Sequence, residues 1–409
     1  MKKISKYELL LIYTVIRKIL ELNCNFRNSY FIIEILTFGI LLIMIAFDIK
    51  KSKFVVKKKD MLLLSVMIIG EVLGFAYSFF SNNVFNIYFY RIIEFIECFY
   101  LLYMCIDNEE NFQINNFERI LKVIIGIAFI SALYAVIFQF NSSLFKVSSN
   151  NNFRMDNIYQ SFLGHRNQFG ITLVAGILAC MYFVINDKFK KKMILLSSFF
   201  LINLIFTYSR ASYVALLCFA FWYFIMAKRS LKEKITIIIA IAIIIGIGLQ
   251  VYNSNYKLKY FVEKYMIRSD SGMTGREVLW EKAVNYLNVP TWIFGRGWGI
   301  SRIILQGDTV GNGVGFHNMY LTDLITGGMI LLSFFFILLF SIWKKLNIKN
   351  IDIKMVNYFK ACIFAFLVYS FFEVTDFFKI AIQQTFQTFF CITLPLLYIK
   401  LKQGEKDGK

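Results

Sequence analysis

The sequence predicts an all-α integral membrane protein of about twelve transmembrane helices, eleven if the first does not cross. Three observations carry that prediction. The 409-residue chain is 58% hydrophobic with a mean hydropathy of +0.60, above the ~45–50% apolar content of soluble domains. Apolar runs of about 20 residues, enough to cross a bilayer, recur along its length. One long hydrophilic insert, 252–317, interrupts them.

The runs read as spans are 7–22, 29–49, 61–80, 84–106, 120–140, 168–186, 193–208, 211–227, 235–251, 318–343, 357–374 and 380–399. Arg17 and Lys18 interrupt the first, which is therefore the weakest. No cleavage pattern follows Met1, so that segment is expected to stay as an anchor. The chain divides into 1–251 (spans 1–9), 252–317 (a large extracytoplasmic loop with a lid-like helix) and 318–409 (spans 10–12 and a tail).

Short loops rich in Lys and Arg stay on the cytoplasmic side. Those loops run from Lys50 to Lys59, Lys188 to Lys192, Lys228 to Lys234, Lys344 to Lys354 and onward from Lys400. Alternation of twelve spans puts all of them on one face, so both termini are expected in the cytoplasm. The acidic connection 107–119 is discordant, but acids weigh little in this rule. The formal charge of +19 is then a topology signal drawn toward anionic lipid headgroups, not a nucleic-acid footprint. The seven cysteines fall almost entirely within spans, with no disulfide framework or zinc spacing.

Ionisable residues at membrane depth need partners or water. Glu34, Glu71, Arg91, Glu94 and Glu97 are the candidates. Spans 3 and 4 form a hairpin near Asn82 that places Glu71 and Arg91 at similar depth. An ion-pair cluster, a proton pathway and the wall of a polar cavity all fit them.

Four external pieces carry the chemistry. Thr207-Tyr208-Ser209-Arg210 makes the tight turn before span 8, where a guanidinium either snorkels to the interface or forks onto phosphate oxygens. Thr274 and Glu277 have capping-box spacing, so a helix is expected from there with Arg276 in its first turn. Leu279, Trp280, Ala283, Val284 and Leu287 give it one apolar face, as a lid would have. Phe294-Gly295-Arg296-Gly297-Trp298-Gly299 permits close backbone approach but lacks the strand and helix of a nucleotide fingerprint. His317-Asn318-Met319-Tyr320 opens span 10, where the positive helix end keeps imidazole neutral. His165, beside Arg166 and Asn167, is the other of the chain's two histidines.

Together, Thr-x-Ser-Arg at 207–210, Gly-Arg-x-x-x-Trp at 275–280, Asn-x-Pro and alternate glycines at 288–299, and His-Asn-x-Tyr-Leu at 317–321 resemble the O-antigen ligase and Wzy-type polysaccharide polymerase superfamily. The motifs cover about 165–335. The resemblance implies a GT-C-like, metal-independent glycosyltransferase with no cofactor, working on an undecaprenyl-diphosphate-linked oligosaccharide donor and a glycan acceptor. It implies diphosphate binding by Arg210 and Arg276, and His317 as base or acceptor-orienting group. Ser209, His165, Arg166, Asn167, Asn318, Tyr320 and Trp280 are the expected substrate-binding set. Scarce proline with abundant Phe, Ile, Lys and Asn looks like a low-GC bacterium, which favours a capsule or exopolysaccharide polymerase in the cell membrane. A flippase and a chain-length regulator are the protein partners such a role implies, besides membrane lipids. Ligase-type transfer to another acceptor stays open. A lipid-linked oligosaccharide transporter is the rival class, but transporters build on repeats and mid-membrane sites.

Overall fold

A computed structural model describes residues 5–23, 33, 35–43, 112–145, 159–227, 230–263, 276–297, 315–347, 351–373, 379–407 and no others. The expected spans 61–80 and 84–106, with Glu71, Arg91, Glu94 and Glu97, lie outside them, as do Glu34 and Thr274, the capping residue paired with Glu277.

Every regular element among the described residues is helical. In chain order they are α1 Lys6–Asn23, α2 Ile114–Phe145, α3 Arg166–Ile185, α4 Lys190–Thr207, α5 Arg210–Met226, α6 Leu231–Ser254, α7 Tyr256–Phe261, α8 Arg276–Asn285, α9 Val289–Phe294, α10 Met319–Lys345, α11 Ile353–Tyr369, α12 Ile382–Thr388 and α13 Leu394–Asp407. A π-turn, Phe389–Thr393, joins the last two. Among the described residues α2 (over Ile114–Gln139), α3 and α10 are long and apolar enough to cross a membrane, and α5 is a shorter apolar helix.

α3 is the axis of the bundle: α2, α4, α5, α11 and α12 all pack on it. Its small residues explain why. A Cβ on Gly176 would fall 2.5 Å from Ala128 Cβ of α2 and 3.0 Å from the Phe200 ring of α4. Phe117, Tyr182, Tyr358, Phe359 and Tyr398 then close an aromatic cluster between α2, α3, α11 and α13. The described cysteines sit as small hydrophobes, with Cys180, Cys362 and Cys391 buried.

α1 is continuous through the charges that made it the weakest span. Arg17 is buried with its Nε 3.2 Å from Glu21 Oε1, so the charge is paired along the helix. α11 stops at Tyr369, five residues short of the expected run 357–374, and a turn over Ser370–Phe372 releases Glu373 from the helix.

α10 is broken rather than straight. Gly328 takes φ +64°, ψ −163°, outside helical space. The carbonyls freed at the break are claimed by the loop: Arg296 N–H donates to Ile325 O at 2.6 Å and Gly297 N–H to Thr326 O at 2.7 Å. Irregular backbone inside a membrane protein persists only with such substitutes. α9 thereby docks on the break of α10.

Candidate active site

The site is assembled where the starts of α3, α5, α8 and α10 meet the turn after α11. Tyr208, at φ +51°, turns the chain sharply from α4 into α5 and sets Arg210 at the first position of α5. Gly170 lets α3 come against that turn, since a Cβ there would lie 2.5 Å from Ser212 Oγ and 2.9 Å from Ser209 Cβ. Ser209 therefore bonds sideways: its Oγ donates to Asn167 Oδ1 at 3.0 Å and pairs with Ser212 Oγ at 2.8 Å.

α8 is held over α10 by Leu279 and Ala283, which pack with Phe316 and Ile325 in a small buried cluster. Trp280 Nε1 donates to Phe316 O at 3.0 Å, pinning the residue next to His317. Of the one-sided apolar face expected of this helix, Leu279 and Ala283 are buried, Trp280 and Leu287 pack partly against them, and Val284 is exposed. Arg276, its first residue, reaches Glu373, with Nη2 to Oε1 3.3 Å. Its charge is also felt by Arg210, so the two guanidinium groups share one neighbourhood.

His317 has the left-handed backbone φ +50° that bulky residues rarely adopt. Its Nδ1 is buried without a hydrogen-bond partner among the described residues. Burial first, then the nearby charges of Arg276 and His165, push its pKa down from 6.5 to about 4. Burial and these charges, rather than the helix end that the sequence suggested, favour the neutral ring near pH 7. Strain and an unsatisfied polar atom at one residue are what functional sites tend to retain.

The remaining expected ligands fall into two groups. Asn167 and Ser209 stand inside the assembly, and His165 lies near enough to His317 to influence it. His165 also caps α3, its Nδ1 accepting from Asn167 N–H at 3.3 Å, with Arg166 in the first turn. Asn318 and Tyr320 serve the scaffold: Asn318 Oδ1 caps α10 through Leu321 N–H, and Tyr320 OH donates to Leu367 O at 2.8 Å.

The sequence reading missed Glu373. It is buried, with Oε1 accepting from Asn167 Nδ2 at 2.5 Å as well as from Arg276. It also bonds Gln383, whose Nε2 donates to Tyr369 OH at 2.9 Å. Its only signal in the sequence was an acid in an aromatic stretch, Phe371-Phe372-Glu373, with Asp376 three residues on. Among the described residues no group of three His, Cys, Asp or Glu is placed to hold a metal.

Residues 194–336 match the family model described as O-antigen ligase, Wzy_C. The matched segment contains Arg210, Arg276 and His317 and stops short of Glu373. No match was found among curated proteins.

Proposed function

We propose, from the O-antigen ligase domain carried by residues 194–336 and the site around it, that this membrane protein polymerises undecaprenyl-diphosphate-linked oligosaccharide repeats into a capsular or exopolysaccharide at the outer face of the bacterial cell membrane. The match over 194–336 supports a role in polysaccharide biosynthesis, with polymerisation or ligation of lipid-linked glycans as the chemistry. The observation that carries the specific reading is the electrostatic proximity of two arginines and a neutral, buried imidazole whose Nδ1 has no partner among the described residues.

The chemistry follows from those groups. An acceptor hydroxyl attacks the anomeric carbon of the donor, and the bond from that carbon to the diphosphate oxygen breaks. The electron pair leaves on the diphosphate. Arg210 and Arg276 stabilise the charge that grows there, the task a metal performs in other transferases. His317 accepts a hydrogen bond from the attacking hydroxyl and orients it, receiving the proton as the new bond forms. A pKa of about 4 makes it a weak base, so orientation is the larger share of its work.

The test is reconstitution of the purified protein in liposomes with an undecaprenyl-diphosphate-linked oligosaccharide. A ladder of longer lipid-linked glycans with one undecaprenyl diphosphate released per linkage supports polymerisation. Transfer only to a protein or another non-prenyl lipid would make it a ligase. Movement of intact donor between leaflets with no release would make it a transporter and overturn the reading.

A further inference from the structure

We infer that Glu373 is a positioning residue for the transfer, aiming the Arg276 guanidinium at the donor diphosphate. The inference rests on the diphosphate role of Arg276 proposed above and adds a residue outside the matched domain. Arg276 begins a ten-residue helix whose packed face lies a turn further on, at Leu279 and Ala283, so that contact fixes the helix but not the long side chain at its end. Glu373 supplies the missing restraint. Its carboxylate oxygen Oε1 lies 3.3 Å from Arg276 Nη2, and the Arg276 side chain is only 18% exposed.

The carboxylate is itself fixed from two sides. Asn167 Nδ2 donates to it at 2.5 Å, while Asn167 Oδ1 receives the Ser209 hydroxyl at 3.0 Å. Gln383 holds it from α12. An uninterrupted chain of polar contacts therefore runs Arg276–Glu373–Asn167–Ser209, and Ser209 is the residue before Arg210. The two arginines sit on separate elements, 66 positions apart, yet this chain ties their relative placement. The carboxylate gives Arg276 a counter-charge where Arg210 is a like-charged neighbour, and a diphosphate clamp needs a fixed separation of its two forks. A buried acid in such a place costs desolvation, which its three hydrogen-bond donors offset.

Arg276 has further N–H groups beyond the one given to Glu373, so it can hold both carboxylate and phosphate. Removing the carboxylate charge then leaves anion binding intact, or tightens it, while loosening the aim. Glu373→Gln is the variant to make, because Gln retains the size and an acceptor oxygen. The measurements are turnover in the liposome assay and affinity for undecaprenyl diphosphate, read from protein fluorescence. The expected result is turnover lowered by about tenfold or more, with affinity unchanged or higher. In an Arg276→Lys background, Glu373→Gln is expected to cost nothing more, since both act through one contact.

Normal turnover in Glu373→Gln overturns the inference if Arg276→Lys is impaired, and leaves the diphosphate role of Arg276 standing. Loss of affinity and turnover together, with a lowered melting temperature, also overturns it and makes Glu373 a fold residue. Additive losses in the double variant do the same. Normal turnover in Arg276→Lys alone removes the diphosphate role and this inference with it.

Discussion

Gly295 and Gly328 lock the α9 segment onto α10, and Gly328→Ala is the change that opens the lock. Both glycines sit near φ +70°, ψ −164°, a region that residues with a Cβ scarcely enter, so forcing alanine there costs roughly 1–3 kcal/mol. The added Cβ would lie 2.2 Å from Ile293 O and 2.4 Å from Ile293 C, which drives the backbone of α9 away. The hydrogen bonds from Arg296 and Gly297 N–H to Ile325 O and Thr326 O go with it. Each freed carbonyl costs about 1–3 kcal/mol. Even at the low end of each range the loss is about 3 kcal/mol, or about 10²-fold in the docked population. Hydrogen exchange followed by mass spectrometry reads it directly. Peptides spanning 289–297 are expected to exchange about 10²-fold faster in Gly328→Ala, while those of α3 keep wild-type protection. Gly295→Ala should do the same from the other side, and the double variant little more, because one contact is broken in both cases. Wild-type exchange over 289–297 in Gly328→Ala would refute the interlock.

Further outcomes follow from the site. His317→Ala is expected to slow transfer by about 10²-fold or more, with a smaller loss in His317→Gln, which still hydrogen-bonds; radiolabelled donor incorporation separates them, and full activity in Ala removes the residue from the mechanism. Because burial holds the His317 pKa down at about 4, its neutral form favours the fold above the ordinary value of 6.5, and that contribution is lost as pH falls from there toward 4. Melting temperature should therefore drop between those values by less in His317→Gln than in wild type, and an identical drop would contradict the assignment. Cross-linking α8 to the N-terminal end of α10 tests whether α8 is a lid that must move: turnover should stop, and unchanged turnover after efficient cross-linking would exclude the motion.

The helices were legible because hydropathy and length are averages over many residues, and α3, α4, α5 and α10 fall where apolar runs placed them. Arg210, Arg276 and His317 were legible as motifs. Their common site was expected, and the charge of Arg276 acts on both Arg210 and His317. Glu373 was not, because its partners lie 97 and 206 positions away and nothing local distinguishes a paired acid from a solvated one. Asn318 shows the converse: a polar residue at a helix start reads the same whether it binds substrate or caps the helix. Gly295 shows a third limit. Glycine at positive φ signals a hinge or a close approach alike, and only the Thr326 carbonyl beside it decides for packing.

The central claim is that two arginines, brought together from distant segments, stabilise a departing lipid diphosphate. Its most direct test is the rate of undecaprenyl diphosphate release by purified Arg210→Lys and Arg276→Lys in liposomes at saturating donor. A point charge cannot reproduce the planar fork, so both variants should release it about tenfold or more slowly with normal membrane insertion. Wild-type release rates in both would contradict the account.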